Sequence, residues 1–211
     1  MLYVELCMIA LFGGTFNPVH NGHVNLARKV LNAYSLHRVE FIPSYLPVHR
    51  DAPEISPQLR QQLIQLAIQP FPELSQNSCE LDRKGPSYTI DTLHSLKSRD
   101  PSESLCWLMG ADSFNSFASW KKPAEILQLA HLIVCARPGV EIDRTVFSAH
   151  FLRDDELLSD FMAGKIAFFR LTPNHCSSTL IRRQLQQGLS VDGCLAPPVL
   201  EFILQNKLYR N

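Results

Sequence analysis

Two histidines, His20 and His23, stand three residues apart in the segment GGTFNPVHNGH (13–23). An apolar run, Leu6–Phe12, precedes the segment, and a helical pattern from Gly22 to Tyr34 follows it. Imidazoles at that spacing, at a helix entry, can both face the end of a strand. A helix N-terminus offers free N–H groups and partial positive charge, which suits phosphate. Beside an anionic polyphosphate an imidazole is favoured in its charged, two-donor form. Two such donors on a phosphoryl group would stabilise charge that develops during in-line displacement. Gly13 and Gly14, directly after the strand, are expected to let the backbone turn sharply and approach a ligand. The pattern is neither GxGxxG nor GxxxxGK[ST], which disfavours a hydride-transfer cofactor and a kinase-type phosphate loop. Taken alone, the histidines also fit half a zinc site, although no convincing third and fourth ligands accompany them, or a packed, capping pair.

A second group lies in CSSTLIRRQL (176–185). Ser177, Ser178 and Thr179 offer hydroxyls at a helix start, and Arg182 follows Ser178 by one turn on the same face. Together they could hold the β- and γ-phosphates of a triphosphate. By itself a serine-capped helix with an exposed Arg is usually only a helix. Arg183 reads as a solvated neighbour.

Strand-like and helix-like segments alternate along the chain. Strands are expected at Leu6–Phe12, Val39–Ile42, Ser78–Leu81, Leu105–Met109, His131–Ala136 and Ile166–Leu171. Ser56-Pro57 opens a helix whose face is Leu59, Leu63 and Leu66. Ser87 is expected to cap a helix carrying Ile90, Leu93 and Leu96. Pro123 opens another, Ser177 or Ser178 caps one ending near Gly188, and Pro197-Pro198 opens the last. Residues 140–163 are less regular, with helix expected near 154–162. This alternation implies an α/β, Rossmann-like, doubly wound fold, a mostly parallel sheet with helices on both faces, as a single domain over 1–211. In such a sheet ligands bind outside the carboxyl ends of the strands, where the strand order reverses.

Composition sets outer bounds. Lys+Arg and Asp+Glu number 20 each, so the formal net charge is zero, with 45% apolar and 19% charged residues. That excludes a disordered chain, a collagen-like repeat and a coiled coil. No basic field supports wholesale nucleic-acid binding, and no apolar run approaches the roughly 20 residues of a membrane span. Six cysteines form no CxxC. Small buried thiols in a reducing cytoplasm are the expectation, with disulfides or metal ligation as alternatives.

GGTFNPVHNGH resembles the HxGH signature of the nucleotidylyltransferase superfamily, and more specifically of bacterial nicotinate-nucleotide adenylyltransferases. The resemblance extends through IPSYLPVHR (42–50), PSYTIDTL (86–93), GADSF (110–114), HLIVCARPG (131–139) and CSSTLIR (176–182). It implies transfer of AMP from ATP to nicotinate mononucleotide, giving deamido-NAD and pyrophosphate, with Mg²⁺ accompanying ATP. It implies His20, His23 and Arg182 as catalytic residues. It places ATP on Gly13, Gly14, Thr15, Phe16, Gly110, Asp112, Ser177, Ser178 and Thr179. Thr89, the Trp120 indole and the main-chain N–H of Lys121 would meet the nicotinate ring and carboxylate, and His49, Arg50 and Arg137 its phosphate. No metal-binding residues are implied, and neither a nucleic-acid nor a membrane partner; assembly into a homo-oligomer stays open. Without the resemblance, Asp112 reads equally well as an N-cap and Trp120 as a packing residue. Cys176 replaces the usual Ile of the ISSTxIR element, and Asn17 the usual Asp of the first loop. Relatives that use nicotinamide mononucleotide, phosphopantetheine or a cytidylyl-type acceptor, and a non-catalytic nucleotide sensor, remain as alternatives. A class I aminoacyl-tRNA synthetase would need an anticodon-reading extension and a KMSKS-type loop, and the chain has neither.

Overall fold

In a computed structural model the chain is described over residues 7–48, 52–136, 139–170 and 175–210. Six strands form one sheet: β1 (Met8–Gly14), β2 (Arg38–Pro43), β3 (Leu74–Gln76), β4 (Ser104–Gly110), β5 (His131–Ala136) and β6 (Ile166–Arg170), in the order β3-β2-β1-β4-β5-β6. Among the described residues eight α-helices connect or follow them: α1 (Asn21–Ala33), α2 (Pro57–Ile68), α3 (Cys79–Arg83), α4 (Thr89–Arg99), α5 (Ala111–Asn115), α6 (Pro123–Leu129), α7 (Ser178–Gln186) and α8 (Pro197–Gln205). This is the α/β, Rossmann-like class that the alternating pattern implies. The order reverses between β1 and β4, so the carboxyl ends of those neighbours are the expected ligand position.

Contacts divide the chain into two compact units. One comprises Met1–Gly13, Val30–Glu40 and Tyr88–Pro173, the other Gly14–Lys29, Phe41–Ser87 and Asn174–Asn211. In the first, β1–β4, β4–β5 and β5–β6 are parallel, with Leu11, Trp107, Leu132 and Ile166 aligned across the four strands. Most side chains of these strands are buried, since a sheet covered on both sides needs apolar residues at successive positions. Each fully buried Leu or Ile contributes about 1.5–3 kcal/mol. His131, at the start of β5, is fully buried among them. In the second unit, α2 turns Leu63, Ile64, Ala67 and Ile68 inward together with Arg60.

Several local expectations change. The third strand is Leu74–Gln76, and Cys79–Arg83 forms a short helix instead of a strand. Asn77 Oδ1 accepts from the Cys79 N–H, an Asx turn that starts the helix. Ser56 does cap α2, accepting from Leu59 N. The buried face of α2, however, is Arg60, Leu63, Ile64 and Ala67, with Leu59 and Leu66 only half-buried. Ser87 does not cap α4; its hydroxyl accepts from Tyr45 N at 2.9 Å, and Tyr88 takes the N-cap position without a side-chain bond. Residues 154–162 contain no α-helix, only a 3₁₀ turn at Leu158–Asp160 held by Asp160 Oδ2 on Leu157 N.

Candidate active site

The loop after β1 is held from several sides by its own unit. His20 precedes α1, and its carbonyl accepts from His23 N at 2.8 Å. In return His23 Nδ1 accepts from His20 N at 3.2 Å. With Nδ1 occupied as an acceptor, a neutral His23 carries its proton on Nε2, so that nitrogen is the donor it can offer a ligand. The two imidazoles stack, with centroids 3.7 Å apart and 28° between planes. Phe16 sets its edge against His23, at 5.1 Å and 81°. Phe16 itself adopts a left-handed backbone, with φ 48°. The histidine pair is therefore a packed element with a fixed ring orientation.

Gly13 and Gly14 are the last residues of β1, and neither has a positive φ. Their glycine identity follows from packing rather than from a sharp turn. A Cβ on Gly13 would enter the Trp107 indole, and one on Gly14 would lie 3.0 Å from the Phe16 ring.

Below the histidines the loop carbonyls are taken up by side chains far away in sequence. Ser178 Oγ donates to Pro18 O at 2.8 Å, and Arg182 Nη1 donates to Asn17 O at 2.8 Å. Tyr209 OH donates to Asn17 Oδ1 at 2.7 Å. Arg60 donates from Nη1 to Thr15 O at 2.7 Å and from Nη2 to Ser44 O at 2.6 Å. Ser44 N in turn donates to Gly14 O at 3.0 Å. Arg60 is fully buried, and burial lowers its pKa. Burial likewise pushes the Tyr209 phenol well above its ordinary range.

The start of α7 thus meets the histidine loop. Ser177 is the N-cap and accepts from Leu180 N at 3.2 Å. Its hydroxyl serves the helix, that of Ser178 serves the loop, and Thr179 is exposed. Arg182 also pairs with Glu54, Nε to Oε1 at 3.3 Å. His20, His23, Ser178 and Arg182 are therefore parts of one assembly. Arg60, Glu54 and Tyr209 were not legible as members of it. The available signal for Arg60 was its position on the inward face of α2, three and four residues before Leu63 and Ile64.

The other unit gathers the residues expected at the base. Thr89 is buried at the start of α4. Trp120 is half-buried, with its ring edge-on to Phe117 at 5.6 Å. Lys121 Nζ donates to both oxygens of Asp91, at 3.0 and 2.9 Å, and lies 4.6 Å from the Tyr88 ring centre. That ion pair fastens the Trp120–Lys121 segment to the first turn of α4. It also occupies the Lys121 side chain. Gly110 is the N-cap of α5, and Asp112 is exposed in its first turn instead of capping it. His49, Arg50 and Arg137 lie outside the described residues.

Among the described residues one group of metal-capable side chains lies together, His175, Cys176 and Cys194. Cys176 and Cys194 form a disulfide, against the expectation of free thiols, while Cys7, Cys79, Cys106 and Cys135 are in no disulfide. A sulfur and nitrogen set does not fit Mg²⁺, which takes oxygen ligands.

The cytidylyltransferase-like family profile matches residues 11–184. A probable nicotinate-nucleotide adenylyltransferase of Marinomonas sp. (strain MWYL1) is 38% identical over 213 residues, covering 98% of this chain and 96% of that protein. The nicotinate-nucleotide adenylyltransferase of Escherichia coli O157:H7 is 38% identical over 208 residues, covering 95% of this chain and 98% of that one. The structure of Plasmodium falciparum nicotinic acid mononucleotide adenylyltransferase complexed with NaAD superposes with a TM-score of 0.74 at 16% identity, over 96% of this chain and 97% of that one, which is agreement in fold. On this combination of family profile, near-full-length identity and shared fold, the chain belongs to the cytidylyltransferase-like family and, within it, to the nicotinate-nucleotide adenylyltransferases.

Proposed function

We propose that the chain transfers the AMP of MgATP to nicotinate mononucleotide, forming deamido-NAD and pyrophosphate, in the cytoplasm. The observation that carries this reading is the pair of hydrogen bonds from Ser178 and Arg182 to the Pro18 and Asn17 carbonyls. It joins the histidine loop and the α7 N-terminus in one assembly, which supports a shared triphosphate site.

The acceptor's 5′-phosphate oxygen attacks the α-phosphorus of ATP as the bond to the β-phosphate oxygen breaks. A phosphate is already a nucleophile at neutral pH, so no covalent enzyme intermediate and no general base are required. Catalysis reduces to alignment and charge neutralisation. His23 Nε2–H donates to the transferring phosphoryl group, and His20, stacked on it, supplies a second imidazole. Arg182 and the N-terminus of α7 receive the charge of the departing pyrophosphate. Gly13, Gly14, Thr15, Phe16, Gly110 and Asp112 take the rest of ATP. Mg²⁺ would accompany the triphosphate and supply charge neutralisation there, held by the phosphates rather than by a cage of protein ligands. Trp120 stacks on the pyridine ring, and Thr89 and the Lys121 N–H orient its carboxylate.

The test is incubation of the protein with MgATP and nicotinate mononucleotide, followed by separation of dinucleotide and pyrophosphate. Comparison of kcat/KM with nicotinamide mononucleotide and phosphopantetheine assigns the acceptor. The reading predicts the highest value for the nicotinate substrate. ATP binding without pyrophosphate release from any acceptor overturns it in favour of a sensor.

A further inference from the structure

α7 is enclosed by the cysteine pair. Cys176 lies just before it and Cys194 after it, 18 residues apart in sequence, and their Cα atoms are 5.3 Å apart. The loop closed by this bond contains Ser177, Ser178, Thr179 and Arg182. Cys176 is adjacent to the N-cap Ser177. At the other sulfur, the Cys194 carbonyl accepts from Asn21 N at 2.8 Å, and the Gly193 carbonyl accepts from Asn21 Nδ2 at 2.9 Å. Asn21 stands between the two histidines. The cross-link thus ties the base of the phosphate helix to the strap that holds the first turn of α1.

We propose that Cys176 and Cys194 are an oxidative modification site whose disulfide fixes α7 in its ATP-gripping position; this rests on the assignment of α7 to the triphosphate. Both cysteines are buried, at 8% and 3% exposure, which admits a small hydroperoxide more readily than a bulky disulfide donor. In the first step one thiolate attacks the peroxide oxygen. The O–O bond breaks, the sulfur becomes a sulfenic acid, and the alcohol or water departs with the thiol's proton. In the second, the partner sulfur displaces hydroxide from the sulfenic acid, and its own proton completes a water molecule. Two thiols lose two electrons and two protons, and the hydroperoxide is reduced. A dithiol reverses the bond by exchange. Closing the loop removes arrangements in which the 177–182 segment leaves the histidine loop, so less ordering is left for ATP to impose. Among the free cysteines, burial pushes the Cys135 thiol up to about 12 and the Cys106 thiol higher still, which keeps both inert.

The experiment uses the whole chain, reduced with dithiothreitol, desalted, and treated with stoichiometric hydrogen peroxide. The titratable thiols should fall from six to four, and peptide mass mapping should show residues 176 and 194 linked rather than Cys7 modified. KM for ATP should be about 3–10-fold lower in the oxidised form, with kcat little changed, equivalent to about 0.7–1.4 kcal/mol. Dithiothreitol should restore the reduced value. Cys194→Ser should keep the reduced kinetics and lose the response; Cys176→Ile, the residue usual in the family element, serves if that variant does not fold. Six persistent thiols, a 176–194 link without change in KM, or zinc retained by the reduced protein with the same kinetic effect would each overturn the proposal. If no acceptor gives dinucleotide in either state, the assigned activity fails, and calorimetric Kd values for ATP in the two redox forms still decide the matter: equal values overturn it.

Discussion

The Tyr209 hydroxyl donates to Asn17 Oδ1 over 2.7 Å, a buried bond between positions 192 residues apart. Asn17 also presents its carbonyl to Arg182. Tyr209→Phe strands the Asn17 amide oxygen in the interior, at a cost of about 1–3 kcal/mol. We expect a lower Tm and a KM for ATP raised several-fold, with the acceptor KM nearly unchanged. Asn17→Asp keeps an acceptor for Tyr209 and should retain most activity. Thermal melts and steady-state kinetics on the two variants distinguish these outcomes.

His23 is held by the His20 N–H on one ring nitrogen, so truncation removes the donor offered by the other. His23→Ala should reduce kcat by about 10²–10³-fold, the range for loss of one transition-state donor. Its fold, followed by circular dichroism, should be retained. Unchanged turnover would remove His23 from the chemistry.

Arg60 positions the loop through the Thr15 and Ser44 carbonyls without touching substrate. Arg60→Met relieves the desolvation of a buried cation but leaves two carbonyls without their donors. Unpaired buried groups cost about 1–3 kcal/mol each, so the loss should prevail. The expected result is a destabilised protein with a raised KM for ATP. Arg60→Lys keeps the charge but not the two-pronged reach, and should restore only part of the affinity. Equal KM values in all three proteins would mean that Arg60 supports the fold alone.

His131 gives a pH dependence of stability. Its Nδ1 accepts from Lys165 N at 3.2 Å, and Nε2–H donates to Phe161 O at 3.1 Å. Burial lowers its pKa to about 4, and the charges of Lys97 and Lys165 act in the same direction. Between about 4 and the ordinary 6.5 the unfolded chain binds a proton that the folded chain refuses. Stability is therefore full above about pH 6.5 and falls as the pH drops towards 4, by about 3 kcal/mol from this group. Urea midpoints measured across that window should fall steeply in the native protein and less in His131→Asn, whose amide oxygen can still accept from Lys165. Parallel curves would exclude His131 as the source.

Much of the architecture was legible locally. His131–Ala136 matches β5 residue for residue, because Leu132–Ala136 is a short, unbroken apolar run, as suits a strand covered on both sides. Ser56 was recognisable as a cap since it precedes its own helix, and of the two serines that the sequence offered for α7, Ser177 is the cap. Ser87 has the same appearance, but its hydroxyl turns to the Tyr45 N–H, a tertiary partner invisible to local pattern. The histidine loop and the α7 hydroxyls could be identified from residue type and order. Their supports could not: Arg60 looked like one more polar residue among glutamines, and Tyr209 like a tail residue. Gly13 was legible as required, but not because of a sharp turn, since the neighbouring strand's Trp107 leaves no room for a Cβ.

The loop that carries His20 and His23 is synthesised early, yet its carbonyls and amide are satisfied by positions 160, 165 and 192 residues downstream. The loop therefore cannot be completed until the segments that carry Ser178, Arg182 and Tyr209 have emerged from the ribosome. Such sequence-distant closure is slow compared with local helix formation. Nucleotide binding should therefore be acquired late in folding, after the β4–β5–β6 ladder has already formed.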